Sequence, residues 1–235
     1  MAELAFGLIR YAVLYLLSFG RVTAAVRAEW LHNTAFRLSR AFGMKMEVVG
    51  SIPAGGLLVA NHLSYLDIVL IAAIARPRFV SKKEVRSWPV FGLFAYLGGT
   101  IFIDRTRRND TARANLALKE ALESRELVVL FPEGTSSDGS SVLPFRSSLL
   151  EPAANAKGPL FVAHISYSLP NGSVADEVCY WRDMTLFPHL VNLLGRRNLV
   201  ARVVFAPVES SAGNRKELAQ TLHAQVVRLK SEHSL

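Results

Sequence analysis

Apolar runs alternate with amphipathic stretches along most of the chain. Six runs of four to seven residues are apolar or β-branched for most of their length, at positions 57–60, 78–81, 100–103, 127–130, 160–166 and 200–206. Continuous runs of this kind are typical of strands that are buried on both faces. Between them, the spacing of apolar residues predicts helices at 66–75, 84–96, 111–124 and 216–230. The alternation predicts an α/β fold with a layered, partly parallel sheet flanked by helices.

The first 42 residues follow a different pattern. Residues 4–19 are almost wholly apolar, but Arg10 interrupts them and leaves less than the roughly 20 residues that a spanning helix needs. An arginine inside the apolar stretch is also a poor match to a signal peptide. Residues 22–42 have helical spacing and carry arginines beside Trp30, a combination that suits an anionic membrane surface.

These features predict an amphipathic two-helix membrane anchor at 1–42, with its turn at Phe19 and Gly20. An α/β domain is then expected at 43–235. A helical pair that packs onto this domain is the alternative. Whether the anchor spans the membrane or lies on it stays open at this stage.

The composition narrows the choice of partner. The chain is 51% hydrophobic, has a mean hydropathy of +0.25 and carries a formal charge of +8, which favours anionic partners. The apolar excess favours lipid, and the absence of zinc-finger spacing, RNA-binding aromatic motifs and basic-region heptads disfavours nucleic acid. The single cysteine, Cys179, excludes an internal disulfide and any zinc site built on several cysteines.

Polar residues that the fold does not obviously need follow four strand ends, where active sites of open α/β sheets collect. In the first segment, His62 and Asp67 would lie about 140° apart on one continuous helix. If the helix instead begins after Ser64, His62 can fold back and Asp67 can orient its imidazole. The spacing of Ser64 and Asp67 also resembles a capping box, so Asp67 could simply bind a backbone N–H. The two roles are compatible.

The other three segments present charged residues in loops. Arg105 follows the run 100–103 and could bind an anion, or it could form a solvated pair with Asp104. Glu133 follows the run 127–130 and could accept a hydrogen bond from a substrate hydroxyl, although an ordinary polar turn also fits. Arg146 ends a short turn that contains Pro144.

Several other kinds of site are disfavoured. The chain has no G-x-S-x-G nucleophile motif, no phosphate-binding G-x-x-x-x-G-K-[ST] loop and no H-E-x-x-H metal motif. His164 lies inside an apolar strand and is expected to be a hydrogen-bonded core residue. His189 lies in a second apolar stretch that could contact lipid.

The four segments, in this order, resemble the glycerophospholipid acyltransferase family, whose pattern is N-H-x-x-x-x-D, G-x-x-F-I-D-R, F-P-E-G-T and P-F-[KR]. The resemblance covers about residues 57–150. It implies that His62 is the general base and Asp67 its orienting acid. The implied substrate-binding residues are Arg105 for the phosphate of the acceptor, Glu133, Gly134 and Thr135 for its glycerol-phosphate end, and Arg146 in place of the commoner lysine.

The resemblance implies transfer of a fatty acyl chain from an acyl-CoA or acyl carrier protein thioester to the free hydroxyl of a lysophospholipid. No metal or bound cofactor is implied. The expected location is an anionic membrane, at the cytoplasmic face of the inner membrane, with a peripheral or monotopic attachment. Related enzymes carry a two-helix anchor at the N-terminus, in agreement with the pattern of residues 1–42.

One departure from the family pattern bears on the acceptor. Many members that form phosphatidic acid read F-P-E-G-T-R-S, whereas Ser136 stands here in place of that arginine. Residues 135–148 and 180–185 also resemble bacterial lyso-ornithine-lipid acyltransferases. Because Arg105 is present, 1-acyl-glycerol-3-phosphate stays the leading acceptor, with lyso-ornithine lipid as the alternative. A catalytically idle lipid-binding protein would not explain why both His62 and Asp67 are present.

Overall fold

The computed structural model describes residues 2–104, 108–151, 158–209 and 214–233. The strands are β1 (Lys45–Val49), β2 (Gly56–Ala60), β3 (Pro77–Lys82), β4 (Ile101–Ile103), β5 (Leu127–Leu130), β6 (Leu160–Ser168) and β7 (Val200–Pro207). The α-helices are α1 (Ala2–Leu17), α2 (Ala24–Ala41), α3 (Leu66–Ile74), α4 (Phe91–Leu97), α5 (Arg108–Glu123), α6 (Val174–Glu177), α7 (Leu186–Leu194) and α8 (Arg215–His233). Short 3₁₀ helices cover Lys83–Ser87 and Ser147–Leu149.

The described strands form one mixed sheet of seven strands in the order β1-β7-β6-β2-β5-β3-β4. All neighbouring strands are parallel except β6 and β7, which are antiparallel. Strands β2, β3, β4, β5 and β6 therefore run in one direction, and their carboxyl ends meet at the same edge of the sheet. This edge, called the carboxyl edge below, is where the predicted active-site segments lie.

Helices cover both faces of the sheet, as the alternation of the sequence predicts. Side chains of successive strand residues point to opposite faces, so that Leu58 packs on one side and Val59 on the other, both fully buried. The face that contains Leu58 is covered by α1, α2, α3 and α7, and the other face by α5 and α8. Burial on both faces explains why β2 is an uninterrupted apolar run.

The N-terminal helices form an antiparallel pair that packs onto the sheet. Phe19 and Gly20 have positive φ angles of 50° and 78°, and they form the predicted turn. Trp30 on α2 is 1% exposed, and its indole N–H donates to the carbonyl of Gly7 at 2.7 Å. Helix α2 also packs on α3, so the pair is part of the folded domain. Among the described helices, none is long and apolar enough to cross a bilayer.

Most of the predicted elements are confirmed, with ends within three residues of those observed. The predicted helix at 84–96 is wrong, because the chain forms a 3₁₀ helix that ends at Ser87 and then α4 from Phe91. Pro89 explains the break, since it lacks an N–H and disfavours a helical conformation at Trp88, whose ψ angle is 131°. Strand β1 and helices α6 and α7 were not predicted.

Candidate active site

Asn61 fixes the point where the chain leaves the sheet. Its side-chain oxygen accepts from the N–H of Ile165 at 2.7 Å, and its side-chain nitrogen donates to the carbonyl of Ile165 at 2.9 Å. The amide therefore continues the pairing of β2 with β6 one step beyond Ala60 and Ala163, the last paired residues. Because Asn61 is buried and held at both ends, the position of the next residue, His62, is well defined.

His62 and Asp67 form a hydrogen-bonded pair at the carboxyl edge. Helix α3 begins at Leu66, so His62 lies on the preceding loop and folds back over the first helical turn. Its Nδ1 lies 2.7 Å from Oδ2 of Asp67. This is the arrangement that the sequence predicts for a helix that begins after Ser64.

Asp67 also binds backbone N–H groups, so both predicted contacts exist together. The N–H groups of Leu63 and Ser64 donate to its Oδ2 at 2.7 and 3.0 Å, and the hydroxyl of Tyr167 donates to its Oδ1 at 2.7 Å. With His62, four donors satisfy a carboxyl that is fully buried. Burial raises the pKa of Tyr167 well above its usual range, so its phenol stays protonated.

The contact with Asp67 decides which nitrogen of His62 is available for chemistry. Two backbone N–H groups already donate to Oδ2 of Asp67, and we assign Nδ1 of His62 as its third donor, which leaves the lone pair on Nε2. The imidazole stacks on the ring of Phe131, with centroids 4.4 Å apart and an interplanar angle of 21°. The His62 side chain is 21% exposed. The ring is therefore held on two sides and accessible to a small reacting group.

Glu133 is a buried residue that contacts the backbone of His62. It is 2% exposed, and its Oε1 accepts from the backbone N–H of His62 at 3.2 Å. Its Oε2 has no hydrogen-bond partner among the described residues. Burial raises the pKa of Glu133 to about 8, so the side chain is largely protonated at neutral pH. The sequence predicts a contact with substrate; the observed contact is with the protein backbone, and the substrate contact stays a prediction.

Gly134 and Arg146 come together on the loop that follows β5. Gly134 has a φ angle of +71°, and a Cβ at this position would lie 3.2 Å from the Arg146 side chain. Glycine therefore serves two purposes here, the left-handed turn and the close approach of the arginine. Thr135 and Arg146 are exposed on this loop. Arg105, the predicted phosphate ligand, lies outside the described residues.

The same loop is tied to two other segments near His62. The N–H of Ser137 donates to the carbonyl of His62 at 3.0 Å, and the N–H of Tyr180 donates to the carbonyl of Leu63 at 2.8 Å. The hydroxyl of Ser136 donates to the carbonyl of Tyr180. Ser136, the residue that departs from the family pattern, is therefore engaged within the protein.

An aromatic cluster that the sequence did not predict borders the site. The hydroxyl of Tyr65 lies 2.9 Å from Nδ1 of His189, whose Nε2 lies 3.0 Å from the carbonyl of Cys179. A carbonyl only accepts, so Nε2 of His189 carries the proton and Nδ1 accepts from Tyr65. Burial lowers the pKa of His189, in agreement with a neutral ring. Tyr180 packs edge-on against both rings.

A cavity of about 400 Å³ lies beside the loop after β5. His164, which lines it, is 4% exposed and thus a core residue as predicted, but its Nδ1 has no hydrogen-bond partner among the described residues. Burial lowers its pKa to about 4. Lys230 on α8 donates to the carbonyls of Gly139 and Ser140, both at 2.6 Å. The C-terminal helix therefore holds this loop. No group of three potential metal ligands occurs within the described parts of the chain.

Comparison with known proteins gives consistent matches. A family model described as "Acyltransferase" matches residues 45–166. A lyso-ornithine lipid O-acyltransferase from Brucella abortus is 37% identical over 205 residues, which cover 80% of this chain and 77% of the relative. A 1-acyl-sn-glycerol-3-phosphate acyltransferase from Neisseria meningitidis is 34% identical over 160 residues, or 68% of this chain and 62% of the relative.

The fold also matches a solved structure. The 1-acyl-sn-glycerophosphate acyltransferase PlsC from Thermotoga maritima superposes with a TM-score of 0.60 at 20% identity, over 99% of this chain and 97% of that one. At this level of identity the match supports the architecture alone. The match includes the N-terminal helical pair, because it extends over almost the whole chain.

Proposed function

The chain belongs to the acyltransferase family, and we propose that it transfers a fatty acyl chain from a thioester to the free hydroxyl of a lysophospholipid, with His62 as general base. The observation that carries this proposal is the 2.7 Å contact of His62 with the buried Asp67. This contact leaves Nε2 of His62 available as a proton acceptor. The donor is an acyl-CoA or acyl carrier protein thioester, and we propose that no metal or bound cofactor takes part.

The chemistry follows from the weak nucleophilicity of a lipid hydroxyl at neutral pH. Nε2 of His62 removes the hydroxyl proton while the oxygen forms a bond to the acyl carbon. Asp67 stabilises the imidazolium that results. The carbon–sulfur bond then breaks, and His62 returns the proton to the departing thiolate.

A covalent acyl-enzyme is not part of this mechanism. Cys179 is the one thiol of the chain, and burial raises its pKa to about 12. A thiol that is both buried and protonated is a poor nucleophile. Direct transfer between the two substrates is therefore proposed.

The leading acceptor is 1-acyl-glycerol-3-phosphate. Its phosphate needs cationic partners, and the candidates are Arg105, from the family pattern, and Arg146, which is exposed beside Gly134. Thr135 adds an exposed hydroxyl on the same loop. The relative from Neisseria meningitidis bears the name of this activity.

Ser136 favours a second acceptor, lyso-ornithine lipid. The arginine found here in many phosphatidic-acid-forming members is missing, and the Ser136 hydroxyl already donates to the carbonyl of Tyr180. An ornithine head group carries a carboxylate and an ammonium in place of a phosphate monoester, so it needs one guanidinium less. The relative from Brucella abortus is named for this acceptor.

A thioester-release assay with both acceptors offered in parallel tests the proposal. We expect His62→Ala to lower transfer about 100-fold or more, and the control His233→Ala, at the end of α8, to leave it unchanged. Near-normal transfer by His62→Ala would remove His62 from the role of base. Release in the absence of acceptor would indicate a hydrolase, and no release by the unmodified protein would indicate an idle lipid-binding protein.

We further propose that the protein docks on the cytoplasmic face of the inner membrane. Helices α1 and α7 present large apolar side chains to solvent, including Ile9, Leu16, Leu17, Phe187, Val191 and Leu194, each more than half exposed. Exposed apolar residues in this number are typical of an interaction surface. Docking would keep the acyl chain of the acceptor in the bilayer while its head group reaches His62.

A further inference from the structure

A basic groove lies at the opposite edge of the sheet from His62. It has a volume of about 1030 Å³ and is lined by the amino ends of β3 and β5 and by the first turn of α2. We use the name basic groove for the cavity bordered by Arg27, Arg76, Arg78, Arg86 and Arg125. His62 follows the carboxyl end of β2 and does not line this groove.

The charges of the groove are only partly compensated. Two glutamates, Glu29 and Glu126, line it together with the five arginines, which leaves a formal excess of three positive charges. Glu29 pairs with Arg76, and Glu126 lies 3.5 Å from Arg78. Within the described parts of the chain, the other three arginines have no carboxylate partner.

Two of these three arginines are held in place by uncharged groups. Arg27 donates to the carbonyls of Tyr96 and Leu97 at 3.4 and 3.1 Å. The guanidinium of Arg86 lies 4.7 Å from the centre of the Tyr96 ring. Carbonyls and rings fix the positions of these cations without neutralising them, so the groove presents ordered positive charge to a ligand.

The amino end of α2 adds to the positive electrostatic potential of the groove. Thr23 is the N-cap residue of this 18-residue helix and accepts from the N–H of Val26. Ala24 and Ala25 are exposed and line the groove, and their backbone N–H groups belong to the first turn of the helix. Such groups lack intrahelical partners and favour a bound anion.

The surroundings of the groove indicate where the anion comes from. Leu17 at the end of α1 and Phe19 in the turn before α2 are 74% and 94% exposed and precede Thr23 by six and four positions. Tyr96, on the wall of the groove, is half exposed. Apolar side chains beside clustered arginines match the boundary between acyl chains and phosphates in a membrane.

We infer that the basic groove binds the phosphate of an anionic phospholipid, at a lipid site separate from the one where the acceptor is acylated. The guanidinium forks and helix N–H groups suit a phosphate, and the exposed apolar side chains beside them suit its acyl chains. This inference rests on the proposed docking of the protein on a membrane. An acidic carrier protein would use the charges but not the apolar side chains.

Vesicle binding with a charge-matched control tests the inference. The groove variant is Arg86→Gln with Arg125→Gln, both on exposed side chains. The control variant is Lys119→Gln with Arg228→Gln, on helices of the other sheet face, with side chains 67% and 72% exposed. For vesicles of phosphatidylcholine with phosphatidylglycerol, we expect the groove variant to bind roughly tenfold more weakly than the control. Equal loss in the two variants would overturn the inference, since it would reflect net charge alone.

A second measurement keeps the groove separate from membrane docking. Dihexanoyl phosphatidylglycerol, below the concentration at which it aggregates, is titrated calorimetrically into each protein. We expect binding that the groove variant loses and the control keeps, with unchanged transfer to a water-soluble short-chain acceptor. If the vesicles fail to bind but this difference persists, docking is wrong and the groove site stands. No difference in this titration, or groove-dependent binding of acyl carrier protein instead of lipid, would overturn the inference.

Discussion

The carboxylate of Asp67 accepts from donors in two parts of the protein, one adjacent in sequence and one distant. His62, Leu63 and Ser64 come from the loop after β2, and Tyr167 comes from β6, 100 positions further along the chain. A buried carboxylate is tolerated only when its oxygens are satisfied in this way. The pair of His62 and Asp67 therefore depends on the packing of the sheet as well as on the local turn.

The contribution of Tyr167 can be measured by its replacement with phenylalanine. Tyr167→Phe removes the hydrogen bond to Oδ1 of Asp67 and leaves a buried charge with one donor fewer. We expect a loss of about 1.5 to 3 kcal/mol in the free energy of unfolding, and a fall in kcat with little change in the KM for the acceptor. Denaturant unfolding and steady-state kinetics check the two parts. An unchanged kcat would mean that the remaining three donors are enough to hold Asp67.

The raised pKa of Glu133 predicts a dependence of stability on pH. The ordinary value is 4.5 and burial raises it to about 8, so the folded protein keeps a proton that the unfolded chain loses as pH rises between these values. The contribution of Glu133 to the free energy of unfolding is thus fully present below pH 4.5 and is lost progressively up to about pH 8. Glu133→Gln keeps a carbonyl oxygen for the N–H of His62 but does not titrate.

We expect the Glu133→Gln variant to gain stability relative to the unmodified protein as pH rises from 5 to 8. The gain should be on the order of 2 to 4 kcal/mol. Chemical denaturation at three pH values in this range measures it. A difference between the two proteins that does not vary with pH would show that Glu133 titrates alike in the folded and unfolded states.

At the scale of elements, α8 holds the loop that follows β5. Lys230 binds two successive carbonyls of that loop, so Lys230→Met should loosen it. We expect the KM for the acceptor to rise several-fold while kcat changes little, because His62 and Asp67 are held by other contacts. Lys216→Met, on the exposed first turn of α8, is the matched control. A fall in kcat with an unchanged KM would place the effect of Lys230 on the catalytic pair instead.

The elements that could be predicted from the sequence are those whose pattern reflects burial on both faces. Strands β2 and β5 are buried at every position, so their apolar runs are unambiguous. Strand β1 lies at the sheet edge with exposed ends, and it has no such run. Helix α7 is apolar around most of its circumference and carries Pro188 in its first turn, so its sequence reads equally well as an irregular apolar segment.

The candidate site divides in the same way. His62, Asp67, Glu133 and Gly134 lie in short segments with recognisable spacing, so that local sequence was enough to propose them. Tyr167, His189 and Lys230 were missed as contributors because each meets its partner across many positions of the chain, and no local pattern encodes those contacts. The placement of β7, parallel to β1 and antiparallel to β6, was likewise not predictable, because it depends on how the whole sheet is ordered.

At the scale of the whole molecule, the proposed catalytic pair and the proposed lipid-binding groove lie in different parts of the protein. The pair of His62 and Asp67 lies at the carboxyl edge of the sheet, and the basic groove lies at the opposite edge. Helices α1 and α2 extend between the two edges on one face. Removal of residues 1–42 would take Trp30, which is 1% exposed, out of the core, so smaller changes are needed to test membrane docking.

Two contributions to membrane binding can be separated by salt. The net charge of +8 attracts anionic lipid, and this attraction weakens as the screening length falls from about 10 Å at 0.1 M salt to about 3 Å at 1 M. Insertion of apolar side chains does not weaken with salt.

Leu17→Ser with Phe19→Ser should therefore remove mainly the binding that survives in 1 M salt, and both side chains are too exposed for the change to affect folding. Leu116→Ser with Val227→Ser, exposed apolar residues on the other face of the sheet, is the control. If both variants retain salt-resistant binding to phosphatidylglycerol vesicles in a flotation assay, the turn between α1 and α2 does not insert, and the exposed apolar residues of α7 become the next surface to test.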